Sequence, residues 1–362
     1  MTEIKIIIAN ITKRAGTERA VTNLANILIE LKYDVKIISI GSKNGSSPYN
    51  LNPKVKIRHL GLPFEKHDIF FVCFHYYRIF NKLKDECRKR CIFIGTSPEI
   101  NTLITLFKKK SLLIGCEHFN YEANSRVEKL LKRLFYRKLD LVVPLTERDR
   151  RNYFYLHNTV PIPNSLSFVS NKPSSCKEKK IISLGRLTKQ KGYDLLIEVI
   201  SLIQTELKGW KVEIYGNGEE KENLLNKIKM KNLESLITIN NPVENVEDIY
   251  MESSIYLSPS RWEGFPMVLL EAQASGLPCI AFDYPCGASE IISDGETGFV
   301  IKNFDIKMFS RKLLELVNDT DKRILFGKNA YALSSRYSSQ NIGKIWKKEI
   351  DRISEGRECF FQ

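Results

Sequence analysis

The chain has 362 residues, 43% of them apolar and 27% charged. That length and balance suit a globular protein of two ordinary domains and exclude a disordered or fibrous chain. No apolar run reaches the roughly 20 residues of a membrane span. Met1 to Lys5 leads straight into an apolar run with no secretory leader, so a cytoplasmic protein is expected. The cysteines, at 73, 87, 91, 116, 176, 279, 286 and 359, show no Cys-x-x-Cys pair and no metal-ligand spacing. They read as free thiols of a reducing compartment.

In chain order, Lys5-Ile-Ile-Ile-Ala9 reads as a fully buried strand. A loop containing Lys13, Arg14 and Gly16 follows, then a helix from Thr17 with Ala20, Val21, Leu24, Leu28 and Leu31 at helical spacing. Val35–Ile40 is the next strand, and this order predicts a parallel sheet with a right-handed crossover. On its own, Gly16 reads as a turn glycine. Residues 41–53 are a Ser/Asn/Gly-rich loop. Residues 70–90 mix aromatics (Phe74, Tyr76, Tyr77, Phe80) with cations (Lys82, Lys84, Arg88, Lys89, Arg90). Cys91–Gly95 and Leu112–Gly115 read as strands, the second preceded by Lys108-Lys-Lys110. His118 follows the second; alone it reads as a hydrogen-bonded loop histidine.

Residues 124–138 form a basic amphipathic helix. Leu130, Leu131, Leu134 and Phe135 share a face, ringed by Arg126, Lys129, Lys132, Arg133 and Arg137. It is either a core-facing helix with a solvated basic back or one that lies on an anionic bilayer. Residues 1–165 hold 29 Lys and Arg against 15 Asp and Glu, while the remainder holds 27 against 27. The whole net charge of +14 therefore belongs to the first half, which points it at a polyanion, either an anionic membrane or nucleic acid. Leu141–Pro144 closes the first half, followed by a charged helix from Thr146. Residues 157–180, rich in Pro, Asn and Ser, read as a linker.

The second half restarts with the strand Lys180–Leu184. Gly185-Arg-Leu-Thr-Lys-Gln-Lys-Gly192 follows, bringing Arg186 and Lys191 to one sheet edge, an arrangement suited to a diphosphate. The alternative is a solvated basic loop. Strand Lys211–Tyr215 leads into Gly216-Asn-Gly218, a weak Gly-x-Gly without the full dinucleotide fingerprint. Asn241-Pro-Val-Glu244 precedes a short helix. Ser254–Leu257 is a strand, Ser260–Gly264 a loop, and Pro266 opens a helix through Gln273 that Gly276 and Pro278 stop. Such a strand–loop–helix unit aims free N–H groups at the sheet's carboxyl edge. Glu263 lies in the loop and Glu271, eight residues on, inside the helix. Cys279–Asp283 is a further strand. Gly287 opens a helix containing Glu290, and helices fill 305–354.

Glu263-Gly-Phe-Pro-Met-Val-Leu-Leu-Glu271 resembles the Glu-x7-Glu motif of retaining family 4 glycosyltransferases, and Gly276–Asp283 with Gly287 and Glu290 also matches that family. The resemblance extends, more weakly, over nearly the whole chain. It implies an α/β GT-B fold, with two Rossmann-like doubly wound domains facing a cleft. The domains would be residues 1–165 for the acceptor and 166–337 for the nucleotide-sugar, with a helix over 338–354 crossing back. It implies retaining transfer of a hexose or N-acetylhexosamine, UDP-linked, to a lipid-linked or polysaccharide acceptor of a bacterial surface glycan.

In that reading Arg186 and Lys191 neutralise the leaving diphosphate in place of a metal, and no cofactor is needed. Glu263 binds sugar hydroxyls, Glu271 the ribose, and His118 lies near the donor sugar. Gly16, Gly185, Gly216, Val243, Gly264, Phe265 and Pro266 complete the donor contacts. The enzyme would work at the inner face of the cell membrane. A sugar-nucleotide epimerase of the same fold and a catalytically idle partner subunit remain open. A nucleic-acid-binding protein is suggested by charge and aromatics alone, and no nucleic acid is expected.

Overall fold

The computed structural model describes residues 2–62, 69–84, 86, 90–108, 111–168, 170–243, 245–284 and 287–358. Cys87, Arg88, Lys89, Lys109, Lys110, Glu244, Cys286 and Cys359 lie outside them, as do the side chains of Cys73 and Phe74. The chain divides into two compact units. One runs to Ser167 and includes the stretch from Ser339; the other is Phe168–Ser338.

The first unit alternates β1 (Glu3–Ile8), α1 (Gly16–Glu30), β2 (Asp34–Ser39), β3 (Lys56–His59), α2 (Ile69–Lys84), β4 (Ile92–Gly95), α3 (Pro98–Ile104), β5 (Leu112–Glu117), α4 (Arg126–Phe135), β6 (Leu141–Pro144) and α5 (Glu147–Arg150). The sheet order is β3-β2-β1-β4-β5-β6, and its described ladders are parallel. Helices on both faces explain why β1 carries an unbroken isoleucine run, with Ile4, Ile6 and Ile7 fully buried. Helix α1 presses Val21, Ala25 and Leu28 onto that sheet. The closing helix, Ser339–Glu358, adds Ile342, Trp346, Ile350 and Ile353 to the same core. Their spacings of three and four place them on one face. Gly343 permits close approach there: a Cβ would stand 3.2 Å from Ile27 Cγ2.

The second unit repeats the plan with β7 (Lys180–Leu184), α6 (Tyr193–Ser201), β8 (Lys211–Tyr215), α7 (Lys221–Met230), β9 (Ile237–Asn240), α8 (Val246–Met251), β10 (Ile255–Ser258), α9 (Met267–Ala274), β11 (Cys279–Phe282), α10 (Ala288–Ile291), β12 (Gly298–Ile301), α11 (Ile306–Asn318) and α12 (Thr320–Ser334). Its order is β12-β11-β10-β7-β8-β9. Read from the other edge this is the same doubly wound order as the first sheet. In each sheet the strand order reverses once, between β1 and β4 and between β7 and β10. Open α/β sheets bind ligands beyond the carboxyl ends of the strands at that reversal.

Helix α4 corrects one detail of the sequence reading. Lys132, counted there among the cations around the apolar face, is 1% exposed. The apolar face itself points outward: Leu130, Leu131 and Leu134 are exposed. Among the described residues no helix is long and apolar enough to cross a membrane. The four described cysteine side chains, Cys91, Cys116, Cys176 and Cys279, are buried free thiols.

Candidate functional site

Three loops of the second unit meet at the carboxyl edge of its sheet, at the reversal point. The first, after β7, holds Gly185 to Gly192. The second, after β8, holds Gly216 to Gly218. The third, after β10, holds Ser260 to Pro266. Glycine lets them interlock. Gly192 has φ +68°, and a Cβ there would stand 2.1 Å from the Pro259 carbonyl oxygen. A Cβ on Gly216 would stand 1.9 Å from the Gly185 carbonyl oxygen. The Leu187 N–H donates to the Asn217 carbonyl at 2.9 Å, tying the first loop to the second.

The first and third loops are tied by charge. Arg261 makes a two-pronged pair with Asp194 of α6, at 2.7 and 2.6 Å, and donates to the Lys189 carbonyl at 2.8 Å. Its backbone N–H donates to the Gln190 carbonyl at 2.8 Å. The Gln190 amide donates to the Trp262 carbonyl at 2.9 Å. The Arg261 pair holds the Asp194 carboxyl below its ordinary range, although partial burial opposes it.

Within this clamp Glu263 is 8% exposed. Lys191 Nζ lies 2.6 Å from its Oε1, and the Ser260 hydroxyl donates to the same oxygen at 2.7 Å. The Gln190 amide reaches Oε2 at 3.4 Å. Two of the proposed donor residues, Lys191 and Glu263, are therefore in direct contact. Arg186 is exposed, and among the described residues its guanidinium has no ion-pair partner. Glu271 is the fifth residue of α9 and 1% exposed. Pro266 is the residue just before α9 rather than its first residue, and its carbonyl accepts from Leu269 and Leu270. Phe265 is buried edge-on against Tyr337, with ring centroids 6.0 Å apart. Gly264 is half-buried between Glu263 and Phe265, and Val243 is 37% exposed in the loop after β9.

The remaining two candidates belong to the first unit. Gly16 starts α1, and a Cβ there would meet nothing within 4 Å. Among the described residues no neighbour requires a glycine at that helix start. His118 is the first residue past β5. It lines a small cavity of about 20 Å³ with Ala20, Leu24, Cys116, Ile162 and Trp346, room for about one water. Both ring nitrogens are buried without a hydrogen-bond partner among the described residues. Burial pushes the imidazole down to about 4, against the upward pull of Glu117. At neutral pH it is uncharged, able to hold or orient a polar group rather than pair with an anion.

Sequence reasoning missed Ser260, Gln190, Arg261 and Asp194. Ser260 and Glu263 stand three apart, the spacing of a capping box, and that was a usable signal. The Arg261–Asp194 pair spans 67 residues and has no local signature. Among the described residues no cluster of His, Cys, Asp and Glu is arranged to hold a metal ion.

The family profile described as Glycosyl transferases group 1 matches residues 168–333. An uncharacterized glycosyltransferase of Haemophilus influenzae is 31% identical over 362 residues, covering 96% of this chain and 99% of the relative. The amylovoran biosynthesis glycosyltransferase AmsD of Erwinia amylovora is 31% identical over 357 residues, covering 96% and 99%. The fold is that of the pneumococcal O-GlcNAc transferase GtfA, solved with UDP and GlcNAc, at a TM-score of 0.79 and 17% identity over 97% of this chain and 99% of that one. Two doubly wound units and a relative alike from end to end lead to one conclusion: the chain belongs to the GT-B glycosyltransferases, and its second unit carries the group 1 domain.

Proposed function

We propose that the protein is a retaining hexosyltransferase or N-acetylhexosaminyltransferase. It takes its sugar from a UDP-sugar and extends a lipid-linked or polysaccharide acceptor during assembly of a bacterial surface polysaccharide. The observation that carries this reading is the junction of the loops after β7 and β10. There a partly buried Lys191 contacts Glu263, and Arg186 stands exposed on the same loop. Two cations at the carboxyl edge of a sheet, at its reversal point, suit a diphosphate.

The chemistry follows from these groups. As the bond from the anomeric carbon to the diphosphate oxygen breaks, positive charge grows on the sugar ring and negative charge on the phosphate. Arg186, a planar fork, and Lys191, a point charge with three donors, stabilise the departing diphosphate without a metal ion. Lys191 can keep one N–H on Glu263 while another meets phosphate. Glu263, buried and held by Ser260, accepts hydrogen bonds from sugar hydroxyls near the reacting carbon. Gly264, Phe265 and Pro266 shape the backbone around it, and Glu271 takes the ribose. Gly185, Gly216 and Val243 line the nucleotide. The acceptor hydroxyl attacks the face the phosphate leaves, and the leaving phosphate oxygen takes its proton, so configuration is retained. His118 and the start of α1 at Gly16 serve the sugar and acceptor from the first unit. AmsD, whose name places it in amylovoran biosynthesis, supports the polysaccharide assignment, and the UDP found with GtfA supports the base. The first half's net charge of +14 supports an acceptor presented at an anionic membrane face.

The test is nucleotide release from a panel of UDP-, GDP- and ADP-sugars, with and without a lipid-linked acceptor extract, followed by NMR. Acceptor-dependent release from a UDP-sugar with the anomeric configuration kept supports the reading. Epimerised sugar without acceptor would replace it with an epimerase. Binding without turnover on any donor or acceptor would replace it with an idle partner subunit.

A further inference from the structure

Helix α4 carries Val127, Leu130, Leu131 and Leu134 at spacings of three and one, then three, which places them on one face. That face is in water: the four are 67%, 56%, 39% and 60% exposed. An ordinary surface helix turns such a stripe inward. This one turns a lysine inward instead. Lys132 Nζ lies 2.5 Å from Glu117 Oε2, at the end of β5, and 3.3 Å from the Tyr153 hydroxyl. Its ammonium also sits against the rings of Tyr121, Tyr136 and Tyr153, at 5.4, 5.8 and 5.7 Å. The Tyr136 hydroxyl donates to the other oxygen of the same carboxylate. A buried charge released from such a cage is costly, so the cage fixes the rotation of α4 and keeps its leucines outward.

Neighbouring elements continue the apolar surface. Leu106, just after α3, is 57% exposed and shares with Leu131 and Phe135 an apolar hollow of about 390 Å³. Phe154 is 79% exposed and packs edge-on against Tyr155, whose ring lies 5.9 Å from the Arg133 guanidinium. Cations border the stripe. Arg126, Arg133, Arg137 and Lys138 are exposed, and among the described residues none of the four is in an ion pair. By helical geometry Arg126 and Arg133, seven apart, run along one edge of the leucine stripe.

We propose that α4, with Leu106 and Phe154, is the surface by which the first unit docks on an anionic lipid bilayer. The leucines and Phe154 enter the boundary between headgroups and acyl chains. Arg126, Arg133, Arg137 and Lys138 meet lipid phosphates. Charge complementarity selects a bilayer as the occupant: an outward apolar stripe edged by unpaired cations, in the half of the chain that holds the entire net charge of +14. The inference deepens the membrane-presented acceptor of the proposed function, and it is read without turnover.

The experiment is cosedimentation of the full chain with vesicles of phosphatidylcholine alone, or of phosphatidylcholine mixed equally with phosphatidylglycerol. Leu130→Glu/Leu134→Glu and Arg133→Glu/Arg137→Glu are compared with the parent, with folding checked by circular dichroism and by UDP binding. The expected result is binding to anionic vesicles that salt weakens, at least a tenfold loss in either double variant, and unchanged UDP affinity. Equal binding by parent and variants, or no binding to either vesicle, overturns the proposal. A dimer in sedimentation velocity that Leu130→Glu/Leu134→Glu dissolves would give the face to a second copy and also overturn it. If docking fails while a detergent-dispersed acceptor is still glycosylated, only this inference falls. If docking holds and no sugar moves, only the proposed function falls.

Discussion

Separating Lys191 from Glu263 should expose how strongly the loops after β7 and β10 depend on one another. The two charges are 2.6 Å apart, and their side chains are 16% and 9% exposed. At an effective dielectric of about 20, the gross attraction is about 6 kcal/mol. Dehydrating the two ions costs several kcal/mol each, which cancels most of that gain. A coupling of about 1–3 kcal/mol should remain. Lys191→Met leaves the Glu263 carboxylate with the Ser260 hydroxyl at 2.7 Å and the Gln190 amide at 3.4 Å. That variant should lose about 2–3 kcal/mol, below the range for a fully buried pair because some water reaches this one. Glu263→Gln keeps an acceptor for Ser260 and should lose about 1 kcal/mol. The double variant should lose less than the sum by the coupling energy. Urea unfolding measures all four proteins, with the slope checked for constancy. Losses additive to within about 0.5 kcal/mol would refute a working ion pair.

Three further outcomes follow from the geometry. Gly192→Ala must place a methyl 2.1 Å from the Pro259 carbonyl oxygen at φ +68°, so it should destabilise the second unit by about 3 kcal/mol or more in thermal melts. Lys132→Met strands the Glu117 carboxylate, 0% exposed, and should cost about 3–5 kcal/mol. Adding Glu117→Gln should recover part of that loss, and a double variant no better than the single would contradict the pairing. His118 takes up a proton only near pH 4 when folded, against 6.5 ordinarily, so the unfolded chain binds the extra proton between those values. Stability should therefore fall as pH drops from 6.5 toward 4, and His118→Phe should flatten that fall in melting temperatures taken across the window.

Much of the scaffold was legible because buried parallel strands are short apolar runs. Leu141–Pro144, Lys180–Leu184 and Lys211–Tyr215 stand where the sequence places them. It marked no strand at Lys56–His59, Lys-Ile-Arg-His, or at Ile237–Asn240, Ile-Thr-Ile-Asn, where polar residues cut the runs, nor at Gly298–Ile301, Gly-Phe-Val-Ile, a short apolar run whose opening glycine reads as a turn; all three are edge strands. The loops bearing Arg186, Lys191 and Glu263 were legible because glycine and charge cluster just after strands. The clamp between them was not, since Arg261 and Asp194 approach only through tertiary folding. Helix α4 shows a different limit. An amphipathic pattern has a period but no direction, so it marks a face without saying whether that face turns in or out. The answer came from Glu117, whose buried carboxylate draws Lys132 inward and so turns the leucines out.

In the proposed function the second unit grips a nucleoside diphosphate with side-chain cations alone. Calorimetric titration of UDP into the protein in the presence of EDTA tests it most directly, with Arg186→Ala as the comparison. The account predicts saturable binding without divalent metal, weakened at least tenfold by Arg186→Ala, on the scale of about 1.5–3 kcal/mol for a hydrogen bond to a charged group. Binding that appears only when magnesium is restored, or that Arg186→Ala leaves unchanged, would contradict it.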